Sequence, residues 1–257
     1  MISELAYIGK GAKLGKNVTV EPFAYIADDV VIGDDCYIYA HATILDGTRM
    51  GNRNKVHQGA VLGSEPQDLH FEGDKSELII GDDNDFRENV VVARGTKAGH
   101  ATRIGSHCHL MDGAHVCHDT ELNDWVMVGL KSIIGGNCIF DGCTILANAV
   151  IIYQDVHVGA WTLIQSGTRL RKDVPPYIMV KGNPAAYHGV NAVVLKNNPL
   201  GKQMDERTLR HIMNAYLILY HANISPQDAA IRIKSEIESC PEIENIIQFI
   251  TKSKLIV

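Results

Sequence analysis

An aliphatic residue returns every six positions along most of this chain. The series starts at Ile8 and still holds its phase at Leu170. A period of six matches neither the 3.6-residue repeat of a helix nor the two-residue alternation of a flat strand. It fits short strands separated by sharp corners in a parallel β-helix, in which three hexads complete one triangular coil. The pattern therefore predicts a prism of stacked coils.

A small or medium-sized residue follows four positions after each aliphatic residue, as at Ala12 and Ala24. The two positions share the interior because a narrow prism has no room for two large side chains on each face. Cys36, Cys108 and Cys138 occupy the small position, so we interpret them as core residues. The six cysteines form no CxxC pair, which argues against both a disulfide framework and a zinc ribbon.

Two segments, at about residues 63–79 and 95–103, interrupt the hexads and rejoin them in register. Because the aliphatic phase survives both breaks, we expect these two excursions to protrude from the prism. Pro175 and Pro176 follow the last hexads, and a proline has no backbone N–H to donate to a strand ladder. We expect these prolines to end the coils and the β-helix domain to cover residues 1–180.

Residues 181–257 show a different pattern, a turn-rich link followed by a small helical domain. From about Asp205, apolar residues recur at spacings of three and four, which predicts a helix. Ser225 and Pro226 predict the N-cap and first turn of a second helix, and Pro241 predicts the start of a third. The predicted fold is therefore mainly β, with an α-helical domain at its C-terminal end.

The composition is that of an ordinary folded chain, with 257 residues of which 46% are hydrophobic and 21% charged. The net charge of −6 argues against nonspecific nucleic-acid binding, which needs clustered Lys and Arg. The first residues lack the features of a secretory signal, and no apolar run approaches the roughly 20 residues of a transmembrane helix. We therefore expect a cytoplasmic protein with no nucleic-acid partner and no transmembrane segment.

One short stretch within the repeat carries chemistry, because it places His118 directly before Asp119. The hexad phase puts Val116 inside the prism and His118 outside it. An imidazole, with a pKa of about 6.5, suits a general base at neutral pH. Asp119 is placed to orient the ring and to stabilise imidazolium, as the carboxylate does in a hydrolase triad. We predict that His118 is a general base supported by Asp119.

Besides the repeat, four short motifs point to a known family. They are residues 66–69 in the first excursion, 94–96 at the start of the second, 114–119, and 173–177. In their order and spacing, the chain resembles the left-handed β-helix hexapeptide-repeat acyltransferases. Within them it is similar, over its whole length, to the acyl-carrier-protein:UDP-N-acetylglucosamine O-acyltransferase family. That resemblance implies a homotrimer with active sites in the clefts between neighbouring prisms. It also implies acyl carrier protein and a UDP-amino sugar as partners, no cofactor or metal, and the first step of lipid A biosynthesis.

The resemblance also implies roles for individual residues. Gly136 matches the glycine whose N–H faces the developing oxyanion, and Ser166 lies where the family sets acyl-chain length. The remaining matches are to substrate-contacting positions: Gln67, Asp68, His115, Gln154, Asn191 and Lys196. A basic cluster suits an acidic carrier protein and consists of Arg169, Arg171 and Lys172.

Several positions depart from the family pattern. Asn137 stands where the family usually has a histidine after the oxyanion glycine, and Tyr153 replaces another histidine before Gln154. A basic pair is replaced by Asn197 and Asn198, which weakens the charge available for UDP phosphates. The base and its aspartate are kept, so acyl transfer is expected, but the acceptor stays open among amino sugars and amines.

Two other readings remain open from the sequence. The first is a zinc lyase of the γ-carbonic-anhydrase type, with ligands from different subunits drawn from His107, His109, His115 and His118. The second is a binding module that has lost catalysis through its altered acceptor positions. Metal content separates the first from an acyltransferase, and nucleotide binding without turnover identifies the second.

Overall fold

The computed structural model describes residues 1–197, 203–253 and 255–257. Most of its strands are two residues long, as sharp corners at every hexad require. The strands are β1 (Tyr7–Ile8), β2 (Lys13–Leu14), β3 (Thr19–Val20), β4 (Tyr25–Ile26), β5 (Val31–Ile32), β6 (Tyr37–Ile38), β7 (Thr43–Ile44), β8 (Thr48–Met50), β9 (Lys55–Val56), β10 (Val61–Ser64), β11 (Glu77–Ile80), β12 (Asp85–Phe86), β13 (Val91–Ala93), β14 (Ala101–Ile104), β15 (His109–Leu110), β16 (His115–Val116), β17 (Glu121–Leu122), β18 (Met127–Val128), β19 (Ile133–Ile134), β20 (Ile139–Phe140), β21 (Ile145–Leu146), β22 (Ile151–Ile152), β23 (His157–Val158), β24 (Leu163–Ile164), β25 (Arg169–Leu170), β26 (Ile178–Lys181) and β27 (Ala186–Val190).

Along the coils, each strand stacks on the strand three places earlier in the chain, so the coils present three faces. Within the described residues, the first face runs from β1 to β25 in nine strands, the second from β2 to β23 in eight, and the third from β3 to β27 in ten. All pairs are parallel except β26 with β27. We call the corners between successive faces the 1–2 edge, the 2–3 edge and the 3–1 edge. The predicted left-handed parallel β-helix is confirmed.

The core fills the prism as the hexads predict. Val116, Ile134 and Leu170 are completely buried, and Cys108 and Cys138 share the interior at the small positions. Burial raises the pKa of both thiols to about 12, so they stay protonated at neutral pH. These cysteines are core residues and not nucleophiles.

Both excursions leave the prism from the 1–2 edge. The first joins β10 to β11 and the second joins β13 to β14. They cover residues 65–76 and 94–100 and are shorter than the sequence suggests, because β10 and β11 extend into the first excursion and β14 extends into the second. Since the turn after β16 lies at the same edge, the excursions lie beside residues 117–120.

The prolines do not end the coils. β26 follows Pro175 and Pro176 and pairs in parallel with β24. The prolines lie in a corner where no backbone N–H is needed, since Tyr177 supplies the next ladder bond by donating to the carbonyl of Ala160. The antiparallel strand β27 then occupies part of the expected link.

Four helices follow: α1 (Ala192–Lys196), α2 (Glu206–His221), α3 (Pro226–Glu236) and α4 (Pro241–Lys252). The last three confirm the helices expected from the sequence. Asp205 caps α2 through its side chain, and Ser225 caps α3 with Pro226 in the first turn. α1 was not expected, because five residues are too few to show a helical period. Among the described residues, no helix has the length and apolar content to span a membrane.

Candidate active site

The side chains of His118 and Asp119 are within hydrogen-bond distance of each other at the 1–2 edge. The Nδ1 atom of His118 lies 3.0 Å from Oδ2 of Asp119. The His118 side chain points out of the prism, as predicted, but only 11% of it is exposed, and 16% of the Asp119 side chain. The surrounding excursions therefore bury a ring that the hexads alone place on a surface.

The second excursion holds Asp119 from the other side. Thr96 donates to it through its hydroxyl at 2.7 Å and through its backbone N–H at 3.2 Å. Burial raises the pKa of Asp119, but the bonds from Thr96 and His118 outweigh this effect, so its pKa lies below the ordinary value. The backbone N–H of Asp119 donates to Thr102 Oγ1 at 2.9 Å. Asp119 is thus an ionised and fixed partner for the imidazole.

The first excursion brings a second carboxylate to the ring. Asp68 Oδ2 lies 3.6 Å from Nε2 of His118. The backbone N–H and then the ring of His70 lower the pKa of Asp68 by hydrogen bonding. Gln67, beside it, is exposed. The structure therefore brings Asp68 to His118 and leaves Gln67 exposed at the open side.

Gly136 lies directly against the imidazole, one coil along the prism. A Cβ atom at this position would lie 2.5 Å from Cε1 and 2.7 Å from Nε2 of His118. The Gly136 N–H donates to no acceptor among the described residues. Gly136 therefore has two properties: it leaves room for the ring, and it presents a free N–H next to it.

Residues at 18-residue spacing continue the line along the 1–2 edge: His118, Gly136 and Gln154. Gln154 is exposed, as is Asn137, whose side chain donates to Asp155 at 2.6 Å. Since stacked strands lie roughly 4.8 Å apart, Gln154 is about 10 Å from the base along the edge. The edge is thus a linear array of polar groups.

Tyr153 also lies on the 1–2 edge, and Arg171 covers it. The guanidinium of Arg171 donates to the Tyr153 hydroxyl at 2.8 Å and lies 4.0 Å from the centre of its ring. Hydrogen bonding and charge from Arg171 lower the pKa of Tyr153. A phenol paired with a guanidinium thus occupies a position where a histidine was expected.

His115 points outward from the first face and is half-buried. Burial lowers the pKa of its imidazole, which favours the neutral ring. A neutral ring offers one donor and one acceptor, so His115 can hydrogen-bond to a ligand without adding charge.

Three predicted substrate residues lie away from the 1–2 edge. Asn191 is 2% exposed, and its side chain donates to the Trp161 carbonyl at the 2–3 edge. It occupies the N-cap position of α1, but its side chain caps nothing. Lys196 is exposed in the last turn of α1, and Ser166 is exposed at the 3–1 edge. One chain therefore does not bring these three residues to His118.

The four histidines considered as zinc ligands do not converge within one chain. His115 and His118 belong to the first face and the 1–2 edge, whereas His107 and His109 belong to the 2–3 edge and the third face. The described residues contain no group of three or more His, Cys, Asp or Glu side chains that could hold a metal ion.

Family models and relatives of known activity match this chain. A family model described as UDP N-acetylglucosamine O-acyltransferase, domain 2, matches residues 173–256, and the bacterial transferase hexapeptide model matches residues 11–46 and 29–64. An acyl-[acyl-carrier-protein]–UDP-N-acetylglucosamine O-acyltransferase of Syntrophobacter fumaroxidans is 32% identical over 255 residues, covering 98% of this chain and 97% of that relative. This chain belongs to that acyltransferase family.

Two solved structures from the acyltransferase family extend the match to the fold. LpxA from Bacteroides fragilis, a UDP-N-acetylglucosamine acyltransferase, has a TM-score of 0.96 at 41% identity and covers 100% of this chain and 99% of its own. LpxA from Acinetobacter baumannii has a TM-score of 0.95 at 29% identity, with 100% and 99% covered. The acyltransferase fold is therefore retained from end to end.

Within this acyltransferase, the altered acceptor positions have partners of their own. Asn137 pairs with Asp155, and Tyr153 pairs with Arg171. Asn197 folds back and donates to the Val193 carbonyl in α1. Asn198 lies outside the described residues.

The residues that hold Asp119 in this acyltransferase could not be identified from the sequence. Thr96 bonds to Asp119, and His100 Nδ1 lies 3.5 Å from Asp119 Oδ1. The motif at residues 94–96 was the available signal, but it gave no indication of what Thr96 contacts.

Proposed function

We propose that this protein transfers a 3-hydroxyacyl group from acyl carrier protein to the 3-hydroxyl of UDP-N-acetylglucosamine, the first step of lipid A biosynthesis. The observation that carries the proposal is the arrangement of His118 between Asp119 and Asp68, packed on Gly136. Membership of the acyltransferase family supports the substrates, because its members are named for them. We place this reaction in the cytoplasm.

His118 acts as the general base in this proposal. Its Nδ1–H donates to Asp119, which leaves the Nε2 lone pair to accept the proton of the sugar hydroxyl. As that proton leaves, the hydroxyl oxygen forms a C–O bond to the thioester carbonyl carbon. The Gly136 N–H then stabilises the oxyanion. The C–S bond breaks as this intermediate collapses, and the imidazolium gives its proton to the departing thiolate.

No enzyme nucleophile is needed, because the carrier thioester is already activated. Cys117 adjoins the base, but burial raises the pKa of its thiol, and Cys138 is deep in the core. The hydroxyl of the acceptor therefore attacks the thioester directly. Gln67 and Asp68 bind the amino sugar and the acyl chain from the first excursion, and Gln154 binds further along the edge.

The active protein is a homotrimer in this proposal. His118 lies at the 1–2 edge, whereas Asn191 and Lys196 lie beside the 2–3 edge of the same chain. Both sets can serve one nucleotide only if the 1–2 edge of one copy meets the 2–3 edge of the next. Ser166 lies at the 3–1 edge, and its role in setting acyl-chain length is proposed from the family resemblance, its small size suiting a long chain.

The carrier protein docks on the basic cluster of Arg169, Arg171 and Lys172. Arg171 and Lys172 line a hollow together with Lys252 of α4, and these three cationic side chains outnumber its two carboxylates, Asp155 and Asp173. Acyl carrier proteins are acidic, and complementary charge mainly steers encounter and fixes orientation. This hollow lies at the same edge as His118, a few coils away.

One observation favours an alternative, in which the acyl group is transferred to an acceptor other than UDP-N-acetylglucosamine. Asn137 and Tyr153 present an amide and a guanidinium-paired phenol where the family usually has imidazoles. The same transfer to another nucleotide amino sugar, or to an amine, would use the same base and oxyanion donor.

The test is turnover of a 3-hydroxyacyl carrier protein with UDP-N-acetylglucosamine by wild type and His118→Ala. We expect a loss of about 10²-fold or more, since general-base catalysis contributes 10²- to 10⁴-fold. His41→Ala, at an exposed histidine of an early coil, is the matched control and should keep wild-type activity.

A loss of less than tenfold in His118→Ala would remove His118 as the base. Consumption of the carrier thioester only with another amino sugar or amine would establish the second acceptor. Stoichiometric zinc with no acyl transfer would favour the lyase, and nucleotide binding without any turnover would identify a non-catalytic paralogue.

A further inference from the structure

Near its start, the second excursion contacts the carboxylate of Asp119, which supports the base. We propose that Thr96 is a positioning residue, which fixes the Asp119 carboxylate and, through it, the orientation of the His118 ring. This inference rests on the proposed role of His118. It gives the motif at residues 94–96 a function in the reaction.

Thr96 and His118 meet at one atom. The Thr96 hydroxyl donates to Asp119 Oδ2 at 2.7 Å, and His118 Nδ1 lies 3.0 Å from the same oxygen. The Thr96 N–H lies 3.2 Å from both carboxylate oxygens. These contacts prevent rotation of the carboxylate about its terminal bond. Since the imidazole has no other ring partner at Nδ1 than Asp119 among the described residues, the direction of Nε2 depends on where Oδ2 is held.

The excursion itself fixes Thr96. Gly95 donates its N–H to the Glu77 carbonyl at 3.1 Å and accepts a hydrogen bond from the Ser76 hydroxyl. A Cβ atom at Gly95 would lie 2.8 Å from the backbone of His100, so only glycine lets the two ends of the excursion come this close. The tight base of the loop therefore delivers Thr96 to Asp119 from a rigid support.

The charged and titratable groups around Asp119 come from three segments. His118 is its neighbour in the chain, His100 approaches Oδ1 from the second excursion at 3.5 Å, and Asp68 lies beyond the ring in the first excursion. The side chain of His100 is 56% exposed, so solvent screens its charge, whereas Thr96 donates inside the enclosure. Removing the hydroxyl of Thr96 leaves the Asp119 carboxylate with weaker stabilisation, and the carboxyl then protonates at a higher pH.

Thr96→Val removes the hydroxyl and keeps the shape of the side chain, while Thr96→Ser keeps the hydroxyl. We expect Thr96→Val to lower kcat about 10-fold to 100-fold, the effect of losing a hydrogen bond to a charged group. KM for both substrates should change less than about threefold, because the Thr96 hydroxyl is engaged by Asp119. Thr96→Ser should recover kcat to within about threefold of wild type. Thr144→Val, which removes a buried threonine hydroxyl that bonds only to backbone carbonyls, is the control for loss of fold stability.

A double-mutant cycle shows whether Thr96 acts through Asp119. In the Asp119→Asn background, Thr96→Val should cost less than about twofold in kcat, because the carboxylate it positions is gone. Equal losses in the two backgrounds would overturn the proposal, as would wild-type kcat in Thr96→Val.

A readout without substrate separates this inference from the proposed function. The carboxyl carbon of Asp119 is titrated by NMR in wild type, Thr96→Val and Thr96→Ser. We expect the pKa of Asp119 to rise in Thr96→Val and to return towards wild type in Thr96→Ser. If wild type turns over no carrier thioester, the proposed function fails, and the titration still decides on Thr96: an unchanged curve in Thr96→Val overturns it.

Discussion

Replacing Gly136 by alanine tests whether the imidazole needs the space above this glycine. The added Cβ would lie 2.5 Å from Cε1 of His118, whereas non-bonded carbons rest at about 3.5–4.0 Å. The ring must therefore move by roughly 1 Å, or the backbone must yield. Gly136 does not have a left-handed backbone conformation, so alanine there adds no left-handed strain.

A ring displacement of this size breaks the contact with Asp119. Nδ1 and Oδ2, now 3.0 Å apart, would separate to roughly 4 Å, beyond hydrogen-bond range. The loss of a hydrogen bond to a charged group corresponds to about 1.5–3 kcal/mol, or about 10- to 150-fold in rate. A misplacement of about 1 Å can by itself cost about 10²-fold. We therefore expect Gly136→Ala to lose about 10²-fold in kcat while its N–H stays in place.

The assay is steady-state transfer from the carrier thioester, with thermal unfolding measured in parallel. Gly142→Ala is the matched control, because Gly142 occupies the same hexad position in the turn after β20 and its Cβ would meet only the Asp124 carbonyl, at 3.1 Å. We expect this control to keep activity within about twofold. If Gly136→Ala retains more than a third of wild-type kcat, the ring does not depend on this space, and the reasoning from packing is refuted.

Two further predictions concern charge. The pKa of Asp119 lies below its ordinary value of 3.8, so ionised Asp119 stabilises the folded state above about pH 4, and that contribution is lost as pH falls through the lower folded value. Free energies of unfolding measured from pH 7 to pH 3 should therefore fall more steeply in wild type than in Asp119→Asn, and parallel curves would contradict this. Lys172→Gln combined with Lys252→Gln, two lysines of the hollow that leave the Arg171–Tyr153 pair intact, should raise KM for the carrier protein several-fold at low salt with kcat unchanged. That difference should fade near 0.5 M salt as charges are screened, and a salt-independent effect would count against carrier docking at the hollow.

The periodic part of the molecule was predictable because burial in a prism follows from the hexad phase alone. Val116 and Ile134 are buried, and His118 points outward, as the phase requires. The hexad phase gave no indication that His118 is nearly buried, with only 9% of the residue exposed. The excursions cover it, and segments without a period carry no signal of the path they take.

Contacts made by irregular backbone segments could not be predicted from the sequence either. Pro175 and Pro176 were expected to end the coils, but a corner needs no N–H from either residue, and β26 continues beyond them. Asn191 occupies the N-cap position of α1, yet its amide bonds to the Trp161 carbonyl, because β27 brings it against the 2–3 edge. Each of these outcomes depends on tertiary packing that overrides a sound local rule.

The stacking of coils gives the 1–2 edge a further property, which is that distance along it can be counted in the sequence. Each step of 18 residues, as from His118 to Gly136, advances the edge by one strand spacing, roughly 4.8 Å. Deleting or duplicating a whole coil would therefore slide everything beyond the cut by one rung, without rotating any side chain off its edge. The distance between the base and the hollow is therefore a whole number of strand spacings. Adding or removing coils would lengthen or shorten it to match carriers and acyl chains of different reach.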